Sequence, residues 1–189
     1  INNQNLATIY IDINENKITK IKSIKFVGNE NIASSDLSDV IKSRIKKLTN
    51  IFANNNFKPL QVETDKQRLT NFYKEKGYAD ISIEYNVEYF DNNTVILYFT
   101  INEGVIYQLN NISFSNNTQN ASINTLLNEF FQQNKFKDKI YTISIVDTIE
   151  KKISNLIKNT GIQFFEIKKL VNFNNDKADL HFEIQESNP

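Results

Sequence analysis

The chain has 189 residues, with 22 lysines and arginines against 22 aspartates and glutamates, so it carries no net field to gather nucleic acid or an anionic membrane. It has no cysteine, which excludes disulfides, zinc–thiolate and iron–sulfur sites and thiol nucleophiles. No run approaches the roughly 18 to 20 apolar residues that a membrane helix needs, and the 4 glycines form no phosphate-binding loop.

In chain order, Ala7, Ile9, Ile11 and Ile13 alternate with polar residues up to Glu15, the pattern of a half-buried strand. Lys22 to Val27 alternates in the same way. Leu37, Val40 and Ile41 then fall at helical spacing, introduced by Ser34-Ser35-Asp36 as a cap. A connection from Lys46 to Gln61 follows, in which Leu48, Ile51, Phe52, Phe57 and Leu60 supply more apolar surface than a loop usually exposes. A second helix is expected from about Thr64, where Thr64 and Gln67 have capping-box spacing, through Leu69, Phe72 and Tyr73 to Gly77 as its C-terminal stop. Ile81, Ile83, Tyr85, Val87 and Tyr89 alternate with Asp80, Ser82, Glu84, Asn86 and Glu88 in a long strand, and Asp91-Asn92-Asn93 turns into a further strand from Val95 to Ile101.

The same series then repeats. Ile21, Ile24 and Phe26 return as Leu109, Ile112 and Phe114, Leu69, Phe72, Tyr73 and Gly77 as Ile153, Leu156, Ile157 and Gly161, and Val95 to Glu103 as Ala178 to Glu186, at offsets of about 83 to 88 residues. Residues 7–15 match 95–103 without a gap. The expected organisation is therefore the last strand of one module in residues 1–17 and two complete β-α-α-β-β modules in 18–104 and 105–189, cut from a longer protein. Each is an α+β unit in which two helices cover one face of a three-stranded sheet and the other face stays wet.

Three segments carry a resemblance: Ile24-Lys25-Phe26-Val27-Gly28-Asn29, Phe72-Tyr73-Lys74-Glu75-Lys76-Gly77-Tyr78-Ala79-Asp80, and Phe99-Thr100-Ile101-Asn102-Glu103-Gly104. They resemble the POTRA (polypeptide-transport-associated) modules of BamA-like outer-membrane β-barrel assembly proteins. The second module departs from the pattern, with Asn116 for the glycine, Gly161-Ile162-Gln163 at the helix end, and Glu186-Ser187 without a terminal glycine. The resemblance implies a mixed sheet ordered β1-β3-β2, with the strand Asp80 to Tyr89 at an edge. It also implies a periplasmic location, a membrane barrel later in the chain, and binding of unfolded outer-membrane β-barrel precursors and accessory assembly lipoproteins. In a series of five such modules, the long first connection suits an internal pair, the third and fourth.

No catalytic residue, metal site or cofactor is expected. His181 is the only histidine, outward on its strand, and no Gly-x-Ser-x-Gly turn accompanies any serine. Asp80, Glu84 and Glu88 share a strand face, yet a calcium site needs oxygens converging from a turning loop. The candidate binding residues are Asp80, Ser82, Ile83, Glu84, Asn86 and Glu88 on the edge strand, where an extended peptide would add by β-augmentation. The apolar residues of the 46–61 connection form a second candidate. Glu15, Glu103, Gly104, Ile106 and Tyr107 are the candidate inter-module hinge. A reading of a different class is a spacer or interaction module in a bitopic division or secretion protein.

Overall fold

The structure, a computed structural model, describes residues 18–46 and 54–187. The expectations for residues 1–17, including Glu15, and for Leu48, Ile51 and Phe52 lie outside the described residues. The elements are β1 (Lys20–Val27), α1 (Ser34–Val40), α2 (Pro59–Glu75), β2 (Ser82–Phe90), β3 (Thr94–Asn102), then β4 (Gln108–Asn116), α3 (Ser122–Gln133), α4 (Ile143–Lys158), β5 (Phe165–Asn174) and β6 (Lys177–Glu186). They form two three-stranded sheets, ordered β1-β3-β2 and β4-β6-β5. In each, the first strand runs parallel and the second antiparallel to the central third.

The central strands carry the cores. On β3, Val95, Leu97, Phe99 and Ile101 are buried, and on β6 Ala178, Leu180, Phe182 and Ile184 are. Leu37, Val62, Leu69 and Tyr73 come down onto the first set, and Ile123, Leu127, Val146, Ile149, Ile153 and Ile157 onto the second. The two clusters are separate, so each module has its own core. The intervening residues of β3 and β6 face away from the helices and stay partly exposed. That one-sided burial is the physical reason for the strict alternation in the sequence.

Several local details differ from the expectations. α1 begins at Ser34 with Ala33 at its N-cap, and no side chain caps it. α2 begins at Pro59, five residues before Thr64. Proline at the first helical position has its φ preset and lacks only an N–H that would be unpaired anyway, so Pro59, and not Thr64 with Gln67, is the start signal. Inside the helix Thr64 Oγ1 donates to the Leu60 carbonyl at 2.8 Å, and Gln67 pairs with Asn71 at 3.0 Å. The end is as expected: Gly77 has φ 98°, its N–H donates to the Lys74 carbonyl at 3.1 Å, and Tyr78 N–H donates to Tyr73 at 3.1 Å. This pair of bonds is a Schellman closure. The alternating strand starts at Ser82 and not at Asp80, and the turn closes through Asn93 at φ 53°.

The repeat is most exact in backbone bonds that no side-chain pattern reveals. Thr19 accepts from Phe57 N–H and Tyr107 from Tyr141 N–H, both at 2.8 Å. Ile21 N–H donates to Asn55 and Leu109 N–H to Lys139, at 2.7 and 2.8 Å. In each module the connection between helices thus lies antiparallel against the start of the first strand, bridging Lys20 with Asn56 and Gln108 with Ile140.

Two buried acids hold the first module together. Asp65 is fully buried in α2. It accepts from Lys42 N–H at 2.7 Å, Ser43 N–H at 2.8 Å, Gln61 Nε2 at 3.1 Å and Arg68 Nη1 at 2.6 Å. The chain leaving the short helix α1 is thereby stapled to α2. Burial alone would push the Asp65 carboxyl up; the backbone N–H groups of Lys42 and Ser43, with Arg68, overcome it and hold the group below its ordinary value. Glu103, at the end of β3, is also buried. It turns into its own module, accepting from Asn31 N–H at 3.0 Å, Asn31 Nδ2 at 2.7 Å and the Tyr73 hydroxyl at 2.9 Å. It therefore closes the β1–α1 loop against α2. Burial, and then this carboxylate, push the Tyr73 phenol far above its ordinary range. The second module has Ile157 where Tyr73 would stand, and Glu186 there is exposed.

Both acids yield expected outcomes in urea unfolding. The folded-state pKa of Asp65 lies below the unfolded value of about 3.9, so its contribution is complete above that value and is lost as pH falls through the folded one. Asp65→Asn replaces an acceptor with a donor facing two N–H groups; it costs about 1–3 kcal/mol at neutral pH and flattens the loss of stability on acidification. Glu103→Ala leaves the Tyr73 hydroxyl and both the backbone N–H and Nδ2 of Asn31 without this partner and costs about 2–4 kcal/mol. In Tyr73→Phe the same substitution costs less, since one of the three donors is already gone.

Candidate functional site

A three-stranded sheet has two edges, and here they are closed differently. β1 breaks register between Ile21 and Ser23 and is bridged at its start by Asn55 to Phe57. A bulge and a covering segment are both devices that keep an edge from pairing with another chain. β2 has neither. Its nine residues pair one to one with β3, from Ser82 opposite Asn102 to Phe90 opposite Thr94, and no strand pairs with its other side among the described residues.

On β2, Ile83 is buried, Tyr85 and Val87 are half-buried, and Tyr89 is 67% exposed. The inward face therefore emerges from the core toward its C-terminal end. Phe57 packs edge-on against Tyr89, with ring centroids 6.0 Å apart, while Leu60 is 85% exposed at the start of α2. These two are the described members of the apolar connection. Ser82, Glu84, Asn86 and Glu88 point outward and are exposed. The carboxylates go to separate partners: Glu84 to Lys66 at 3.1 Å, Glu88 to the Tyr98 hydroxyl at 2.8 Å, and Asp80, which precedes the strand, to the Tyr107 hydroxyl. Among the described residues no group of three or more metal-ligating side chains occurs. His181 lies between Ser113 Oγ at 2.8 Å and Ser115 Oγ at 3.2 Å on the face of the sheet away from the helices.

The corresponding edge of the second module differs in one residue that pattern reading missed. β5 also pairs one to one with β6, but Lys169 stands opposite Phe182 where Tyr85 stands opposite Phe99. Lys169 is thus an inward-pointing charge on an edge strand. Its ammonium reaches Glu150 at 2.7 Å and Asp147 at 3.3 Å on α4, and the Glu150 bond, against burial, holds its pKa above the ordinary value. The visible signal was a lysine in the apolar phase of Ile167, Val171 and Phe173.

At the junction, Gly104 has φ 70°, and a Cβ there would meet Asp80 Cβ at 3.3 Å. Tyr107 is buried: its N–H donates to the Gly77 carbonyl at 3.0 Å, its hydroxyl donates to Asp80, and its ring centroid lies 4.5 Å from that of Phe173. The hydrogen bond to the Asp80 carboxylate raises the pKa of the phenol. Ile106 is 40% exposed beside Gly77. Of the described hinge candidates, Gly104, Ile106 and Tyr107 meet between the modules, whereas Glu103 does not.

Residues 19–104 match the POTRA family model, described as a surface antigen variable number repeat. The chain is 32% identical over 111 residues to the outer membrane protein assembly factor BamA of Neorickettsia risticii, an alignment covering 58% of this chain and 15% of that protein. It is 21% identical over 162 residues to BamA of Nitratidesulfovibrio vulgaris, covering 85% and 20%. The chain thus spans a fifth or less of these two relatives. Among solved structures, Haemophilus influenzae BamA POTRA3-5 superposes with a TM-score of 0.66 at 21% identity, covering 91% of this chain and 68% of that one. Haemophilus ducreyi BamA lacking POTRA domains 1-3 gives 0.58 at 15% identity, covering 89% and 30%. Residues 19–104 are therefore a POTRA domain, and the same fold is repeated directly after them.

Proposed function

We propose that this chain is part of the periplasmic scaffold of an outer-membrane β-barrel assembly protein. It is a non-catalytic segment that holds unfolded barrel precursors and docks accessory assembly lipoproteins. Relatives named for outer-membrane protein assembly support the setting, and the two modules are read as the third and fourth of a series. The observation that carries the mechanism is the edge of β2: nine residues in unbroken register, with no bulge, no inward charge and, among the described residues, no bridging segment. An extended client adds there as a fourth strand. Main-chain hydrogen bonds supply the affinity, so selectivity among clients is weak and favours alternating sequences such as those of barrel strands. The half-buried Tyr85 and Val87 and the exposed Tyr89 offer apolar surface to the inward side chains of the added strand. β5 is the weaker acceptor, because an added strand there would bring its inward side chains beside the charged Lys169.

Titration of the labelled chain with barrel-strand peptides, followed by amide NMR, tests this. The expected shifts fall on residues 82–90. Ser82→Pro and Ile83→Pro sample the two N–H directions of the strand, and the one that leaves β3 pairing intact abolishes the shifts. Lys169→Leu is expected to add a second set over residues 165–174. Shifts confined to residues 54–61, with β2 silent, would overturn the reading and move docking to the connection.

A further inference from the structure

The internal symmetry isolates one side chain at the junction. Thr19 and Tyr107 occupy the same place in their modules, each accepting one backbone bond from its own connection at 2.8 Å. That bond needs no particular side chain. The tyrosine adds what threonine does not have: a ring that enters the second module against Phe173, itself edge-on to Tyr141 at 5.3 Å, and a hydroxyl that reaches back to Asp80 in the first. Its N–H is held by the Gly77 carbonyl, also in the first module.

We propose that Tyr107 is a clasp that makes the two modules move as one body, in place of a free hinge at Gly104. The short linker alone would permit rotation about Gly104 and Val105. A buried ring fixed in one module and hydrogen-bonded at both ends to the other removes that freedom, since rotation would expose the ring and break a charge-assisted bond together. Gly77 is part of the device. A Cβ there would lie 2.5 Å from Ile140 Cγ2 and 3.0 Å from Ile106 Cγ2, so the bare glycine is what lets the second module close onto the end of α2. Contacts between α2 and α4 continue the same seam. The alternative is that Tyr107 merely completes the core of the second module, in which case its loss would weaken that module and leave the relative orientation alone.

Residual dipolar couplings of the whole chain, fitted separately to each module, distinguish the two. One common alignment tensor is expected for the parent. Tyr107→Thr, the residue the chain itself places at the equivalent position, is expected to give two tensors of different magnitude. Asp80→Ala, which removes no core side chain, is expected to give a smaller divergence of the same kind, and Tyr107→Phe to match it. Asp80→Ala also decides the matter should Tyr107→Thr unfold the second module. Two tensors in the parent, or a single tensor retained in Asp80→Ala and in any folded Tyr107→Thr, would overturn the proposal.

Discussion

A sheet of only three strands has one strand satisfied on both sides and two that each present an unpaired row of N–H and C=O groups, and the rest of this molecule is arranged around that fact. Backbone groups left unpaired are tolerable only in water or with a partner. The central strands β3 and β6 can be buried because both their edges are paired. The outer strands must stay near solvent, which is why burial on β2 fades from Ile83 to Tyr89. An edge of this kind is either defended or used. β1 and β4 are defended by register breaks and by the bridging connections, β5 by Lys169, and β2, among the described residues, by none of these.

Edge defence is therefore distributed unequally between two copies of the same fold. The first module has the open edge and relies on two buried carboxylates for internal ties, with Asp65 holding the start of its long connection and Glu103 holding the first loop. The second has neither tie. Its shorter connection is fully described, α4 starts on a threonine cap with Ile145 N–H bonded to Thr142 Oγ1 at 3.1 Å, and its aromatic residues Phe130, Phe131 and Phe136 pack among themselves. Buried acids specify geometry through directed bonds, whereas apolar packing tolerates substitution.

Periodicity alone determined much here: the order β-α-α-β-β, its recurrence, the inward residues of every strand but β5, and the glycine that ends α2. These follow from a period of two or 3.6 acting on one buried face, which any single stretch of sequence records. The start of α2 was misplaced, because the capping-box spacing of Thr64 and Gln67 competes with Pro59 five residues earlier. The resemblance, carried by short local motifs, added the strand order. What tertiary structure alone decided were relations between distant residues. That Glu103 faces Asn31 and Tyr73, that Lys169 meets α4, that β1 is covered while β2 is not, and that Tyr107 belongs to both modules all depend on which segments meet in space. A side chain's partner across 30 or 70 residues leaves no periodic trace in the chain, because hydrogen bonding constrains a pair of positions and not a pattern.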